Sequence, residues 1–232
     1  MNVLITGSDR GVGFGLARLF LEAGNTVFAG RFLTEWNELD RLKEEYPDRL
    51  HILPLDVSSD ESVAEAARLA GEITDSLDML MSVAGINIID SFPVEDKEGM
   101  LRQYNVNALG AARVTEAFMP MLERGEMRRL CYVSSEAGSV TQCQRHEWFG
   151  YCMSKSALNM YVKILYNLLH PQGFTFRLYH PGWVRSYMRG HLATEGILSI
   201  DEAAKLAFDY FLGEENEDEL VLRDCYGDIY KY

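Results

Sequence analysis

The chain has 232 residues, 47% of them hydrophobic and 11% aromatic, which is ample for a well-buried core. Its 35 acidic against 22 basic side chains give a formal net charge of -13, which argues against non-specific nucleic-acid binding, because a polyphosphate needs a broad basic surface. Cys131, Cys143, Cys152 and Cys225 form no C-x-x-C pair and stand with no histidine cluster, so neither a metal site nor a redox dithiol is expected, and the thiols read as reduced.

The first apolar run, NVLIT at 2 to 6, leads through a glycine turn into a segment of helical period, GFGLARLFLEAG at 13 to 24. No signal peptide fits there, and no stretch approaches the roughly 20 apolar residues that span a bilayer, so a soluble, cytoplasmic protein is expected. The alternation continues with TVFAG (26 to 30), a polar helix through RLKEEY (41 to 46), HILPLDV (51 to 57), ESVAEAARLAGEI (61 to 73) and DMLMSVAG (78 to 85). A long helical region over 95 to 124, divided near Pro120, precedes LCYVSS (130 to 135) and a helix opened by GYCMSKSAL (150 to 158). TFRLYHPG (175 to 182), a helix from Ile200 to Phe211 and a last apolar run, LVLR (220 to 223), complete the series. Strand alternating with helix predicts an α/β fold, a Rossmann-like doubly wound parallel sheet of about seven strands with helices on both faces. No repeat or Pro/Gly/Ser-rich linker divides the chain, so one domain over 1–232 is expected; the acidic run GEENEDE at 213 to 219 reads as a solvated loop.

TGSDRGVG at 6 to 13 lies between the first strand and the first helix. Gly7 and Gly11 suit backbone angles that side chains forbid, Gly13 lets the helix pack close, and N–H groups at the helix start face an anion. With Ser8, Arg10 and Val12 these residues read as the pyrophosphate seat of a dinucleotide. An acidic residue about 20 positions further on would hold the ribose 2'-hydroxyl of NAD; that position is Arg31. Arg10 and Arg31 together suit a 2'-phosphate, so NADP(H) is expected over NAD(H), the alternative being that either arginine points into water or pairs with a carboxylate such as Glu35. Asp56 and Val57, at the end of the third strand, are placed to meet adenine, and Ala84 and Gly85, in SVAG, join the cofactor set. Tyr151 and Lys155, four apart, share one helix face, a spacing that alone fits a plain polar face as well as an active site.

Together these motifs resemble those of the short-chain dehydrogenase/reductase family over nearly the whole chain. TGSDRGVG resembles the family's T-G-x-x-x-G-x-G, LDV its D-V, YCMSK its Y-x-x-x-K and HPGWV its P-G turn after the sixth strand. YCMSKSALNMY and HPGWVRSYM look most like the branch of sniffer-type carbonyl reductases and C-factor proteins. The resemblance implies a catalytic tetrad: Asn107 from NALG, Ser135 as the second serine of VSSEAG, Tyr151 and Lys155. Two departures stand out. SVAG replaces N-N-A-G, so Ser82 and Val83 take the place of both asparagines and of the backbone brace they supply. Ser135 also lies 16 positions before Tyr151, a longer spacing than the family commonly shows, which implies an extended loop through TQCQRHEWFG that shapes the substrate pocket.

The implied reaction is hydride transfer between NADP(H) and a small or medium carbonyl or alcohol. Tyr151 would donate the proton, Lys155 would stabilise the phenolate and bind the nicotinamide ribose, Ser135 would polarise the carbonyl, and Asn107 would hold a water linking Lys155 to solvent. Pro181, Gly182 and Val184 are expected at the carboxamide, Ser186 stands where the family often has Thr, and HLATEGILS takes the place of its mobile substrate lid. Trp148, Phe149 and Trp183 read as pocket wall or core. His146 and His180 stay outside the catalytic set, since lone histidines are more often structural. The family's habit of assembly implies a homodimer or homotetramer through AARVTEAFMPML and ALNMYVKILYNLL. The rival readings are a dinucleotide-binding sensor with little turnover and an NAD-linked alcohol dehydrogenase.

Overall fold

The apolar runs form strands because helices cover both faces of the sheet they build, so each strand must be hydrophobic on both sides. The computed structural model describes residues 1–188, 190, 192–214 and 218–231. Its elements are β1 (Asn2–Ile5), α1 (Gly11–Glu22), β2 (Thr26–Arg31), α2 (Glu38–Glu45), β3 (Leu50–Pro54), α3 (Asp60–Gly71), β4 (Met79–Ser82), α4 (Lys97–Tyr104), α5 (Gly110–Leu122), β5 (Arg129–Val133), α6 (Phe149–Leu169), β6 (Thr175–His180), α7 (Ile200–Leu212), β7 (Leu222–Asp224) and β8 (Ile229–Tyr230). The strand order is β3-β2-β1-β4-β5-β6-β7-β8, and only β8 is antiparallel to its neighbour.

Side-chain alternation divides the apolar residues between two cores. Leu4, Leu80, Leu130 and Leu178 pack with Val63 of α3, Phe118 of α5 and Val162 of α6. On the other face Ile5, Met81, Cys131 and Tyr179 pack with Phe20 of α1, Leu39 of α2 and Phe211 of α7. The order reverses between β1 and β4, so the loops leaving these two strands diverge and open a crevice at the carboxyl ends of the sheet.

Three sequence expectations shift. β8 was not foreseen, since two residues make no apolar run, and the last expected strand moves along to begin at Leu222. The long helical region does not divide at Pro120. That proline lies within α5, which continues to Leu122, and both Pro120 and Glu116, the residue whose carbonyl it leaves unpaired, are on the exposed side, where solvent can satisfy the carbonyl. The irregularity falls instead at Asn105–Leu109, a π-helical turn between α4 and α5. Arg189 and His191 of the lid region, Glu215, Asn216 and Glu217 of the acidic run, and Tyr232 lie outside the described residues. Among the described residues no helix is long and apolar enough to cross a membrane.

Candidate active site

Gly7 and Gly11 have φ of +66° and +63°, the left-handed region that glycine favours. A Cβ on Gly7 would lie 2.8 Å from Ala84 Cα, and one on Gly13 would lie 2.2 Å from the Gly7 carbonyl oxygen, so the turn closes only with glycine at both places. Whereas α3, α4 and α7 are capped by Ser59, Asp96 and Ser199, α1 starts with no side-chain cap and no acid in its first turn. Its first N–H groups and the positive end of its dipole are therefore left to an anion, and these residues fit a pyrophosphate. Ser8 takes no part in the lining. Its N–H donates to Gly30 O and its hydroxyl to Ile5 O, each at 2.9 Å, which holds the turn onto β1 and β2.

A cavity of about 1030 Å³ runs from this turn across the strand ends. It gathers Gly7, Arg10, Gly11, Val12 and Gly13 with Asp56 and Val57, Ala84 and Gly85, Ser135, Tyr151 and Lys155, and Pro181, Gly182 and Val184. The two arginines do not converge. Arg31 donates through one nitrogen to both oxygens of Asp40, at 2.8 and 2.9 Å, away from the lining. Arg10 stays in the wall, donating to Tyr187 O at 3.1 Å with its guanidinium over the Trp36 and Tyr187 rings. Asp9, unremarked in the sequence, has a buried carboxylate that accepts from the N–H groups of Phe32 (2.7 Å) and Leu33 (3.0 Å) and so fixes the exit of β2. Burial raises its pKa against those two hydrogen bonds.

The brace missing with N-N-A-G is supplied from elsewhere. Thr6 Oγ1 accepts from the N–H groups of Val83 and Ala84, both at 3.0 Å. Asn107, buried on the π-helical turn, accepts from Ile86 N–H at 2.8 Å and donates to Ile86 O and Ser154 Oγ at 2.9 Å. The wide turn aims this amide inward at the loop after β4. Gly85 keeps the gap beside it open, since a Cβ there would lie 3.2 Å from Asn107 Oδ1 and 3.7 Å from Lys155 Nζ.

At the inner end of the cavity Tyr151 and Lys155 are 6% and 2% exposed. The Lys155 amine donates to Val133 O at 2.9 Å and lies 5.8 Å from the Tyr151 ring centre. Burial lowers the Lys155 pKa to about 8. Burial likewise pushes the Tyr151 phenol up to about 12; a hydrogen bond with Ser135 opposes the rise, the Glu136 charge adds to it and Arg145 offsets it. Ser135 donates to Glu136 Oε2 at 2.5 Å, and that carboxylate also pairs with Arg145 and faces His180 Nε2 at 3.5 Å. Burial alone would raise the Glu136 carboxyl, but His180, Ser135 and Arg145 outweigh it and hold it below its usual range. Trp148 and Trp183 line the cavity, as do Ser186 and His180. Phe149 lies instead beside Phe92, and His146 is exposed outside it.

Residues 1–196 match the family model described as short chain dehydrogenase. The chain belongs to the short-chain dehydrogenase/reductase family. It is 39% identical over 122 residues to the C-signal protein of Myxococcus xanthus, a match spanning 52% of this chain and 74% of that one. The crystal structure of an NADPH-bound carbonyl reductase from chicken fatty liver is 27% identical and superposes with a TM-score of 0.90 over 100% of this chain and 98% of its own. The carbonyl reductase Sniffer of Drosophila melanogaster is 23% identical, with a TM-score of 0.90 over 100% and 99%, a likeness of fold. This short-chain dehydrogenase/reductase is thus an oxidoreductase of the class that acts on carbonyl and CH–OH groups with a nicotinamide dinucleotide.

Sequence reasoning passed over Thr6, Asp9, Glu136 and Arg145 in this short-chain dehydrogenase/reductase, and it kept His180, which lines the cavity, outside the catalytic set. Thr6 and Glu136 stood inside quoted motifs, so their positions were in view but their partners were not. Replacing Thr6 by Val, which keeps shape and removes the acceptor, strands two N–H groups and is expected to cost about 1–3 kcal/mol in a denaturant titration. Thr6→Ser should retain most of that stability, and equal stability of Thr6→Val and Thr6→Ser would refute the brace.

Proposed function

We propose that the protein is an NADPH-dependent carbonyl reductase of small or medium aldehydes and ketones, organised as one domain. The observation that carries this reading is the buried Tyr151 and Lys155 pair, with Ser135 on the phenol, in the same cavity as the uncapped start of α1. A reduced nicotinamide bound there would supply hydride to the carbonyl carbon. Tyr151, protonated at neutral pH, gives its proton to the resulting alkoxide, a stronger base than phenolate, so the transfer runs downhill even from a phenol raised to about 12. Lys155, charged below about 8, steadies the phenolate left behind. Pro181, Gly182 and Val184 form the wall at the carboxamide end.

Arg10 is the cation of the lining best suited to a 2'-phosphate, and the NADPH carried by the chicken carbonyl reductase favours the same choice. The expected result is NADPH binding at least about tenfold tighter than NADH, with Arg10→Gln removing the difference; equal affinities in the parent protein would favour the NAD-linked dehydrogenase.

Replacing Tyr151 by Phe should lower turnover by on the order of 10²–10⁴-fold with NADPH affinity unchanged. In the parent, kcat/KM for reduction is expected to be level below pH about 8 and to fall above it, since the Lys155 ammonium is lost as pH rises through its lowered pKa. A rate that climbs through that range, or a fully active Tyr151→Phe, would overturn the acid assignment, and NADPH binding without oxidation across a broad carbonyl panel would favour the sensor.

The exposed stripe of Met153, Met160, Ile164 and Leu168 on α6 supports a homo-oligomer built on that helix. Sedimentation should give a dimer or tetramer that Ile164→Arg reduces to monomer; a monomeric parent protein at tens of micromolar would count against it.

A further inference from the structure

The extended loop between Ser135 and Tyr151 carries an ion pair into the catalytic centre. At its start, Thr141 Oγ1 donates to Lys231 O at 3.0 Å and Gln142 Oε1 accepts from Lys231 N–H at 2.9 Å. At its end, Trp148 N–H donates to Asp90 O at 2.9 Å. Between these anchors Arg145 turns inward, pairs with Glu136, and lays its guanidinium 4.4 Å from the centre of the Trp148 ring, which in turn stands edge-on to Tyr151 at 6.2 Å. Glu136 meanwhile takes the hydroxyl hydrogen of Ser135.

We propose that Glu136, held by Arg145, is a positioning residue that orients the hydroxyl of Ser135 and fastens the 139–148 loop over the substrate end of the cavity. The proposal rests on the reductase reading for its kinetic consequence but not for its structural one. A serine hydroxyl has one hydrogen and two lone pairs. With the hydrogen committed to the carboxylate and Ala137 N–H donating to the oxygen at 3.1 Å, the hydroxyl of Ser135 is fixed in one orientation on the Tyr151 side of the inner cavity. Arg145 is the full cationic partner of that carboxylate, and without it the anion would repel the alkoxide that forms beside Ser135. The two charges also act on Tyr151 in opposite senses, so removing both disturbs the phenol less than removing either.

This gives the pair a signature that plain structural support lacks. With NADPH and 4-nitrobenzaldehyde as the probe carbonyl, Arg145→Gln is expected to lower kcat roughly 10²-fold and Glu136→Gln roughly tenfold. The double variant should match the milder single one, and KM for NADPH should stay within about twofold throughout. In a Ser135→Ala background Glu136→Gln should add no further loss. Independently of any turnover, hydrogen exchange of the amides in 139–148 should quicken in both single variants of the full chain. Losses that simply add, or exchange in 139–148 identical to the parent protein, would overturn the proposal. A fully active Tyr151→Phe would instead sink the reductase reading, and the exchange result would still judge the loop.

Discussion

The amine of Lys155, sealed against the carbonyl of Val133, is the joint on which the site depends. It ties the first turns of α6 to the end of β5, and taking it out of water is what lowers its pKa to about 8. The seam continues along both partners. Ser134 Oγ donates to Asn159 Oδ1 at 2.6 Å, Asn159 Nδ2 donates to Gly138 O at 3.1 Å, and Gly138 packs so close to α6 that a Cβ would stand 2.8 Å from the carbonyl carbon of Lys155. Ser135, lying within that seam, is thereby set against Tyr151 on the helix. The serine and the phenol share one cavity wall because the strand end and the helix are stitched together on both sides of them.

Electrostatics in the cavity are local and nearly balanced, although the whole chain carries a charge of -13. Arg10 is held against two aromatic rings and Arg145 is matched by Glu136, while Arg31 is taken up by Asp40 outside the lining. On the proposed reading an anionic cofactor would be met by backbone N–H groups at α1 and by Arg10, with no broad basic field. His180, its pKa lowered chiefly by burial with Glu136 and Asp224 opposing, stands as a neighbour of the Glu136 carboxylate.

The parts of this arrangement that the sequence discloses are those where one residue type is required by backbone geometry or by helical spacing. Gly7, Gly11 and Gly13 are legible because no other side chain fits the turn, and Tyr151 and Lys155 because a separation of four puts them on one face. Orientation is the part it withholds. Spacing put Arg31 at the right distance for a ribose phosphate, but the side chain is taken by Asp40, a residue of α2 that no motif connects to it. SVAG announced that a brace was missing without saying that Thr6, already counted as a motif letter, supplies it across 77 residues of chain. Glu136 and Arg145 illustrate the same limit, since one lies in the serine motif and the other in a loop of free sequence, and only the fold brings them together. Pro120 misled for a different reason, because a proline on the exposed side of a helix can be accommodated where one on the buried side would break it.

The most direct measurement is a crystal structure of the protein with NADPH. The pyrophosphate should lie on the N–H groups of the Gly7–Gly13 turn and the nicotinamide ring between Tyr151 and Val184, with the ribose hydroxyls on the phenol and the Lys155 amine. A nicotinamide bound elsewhere, or a Tyr151 hydroxyl pointing away from the ring with Lys155 touching neither, would contradict that arrangement.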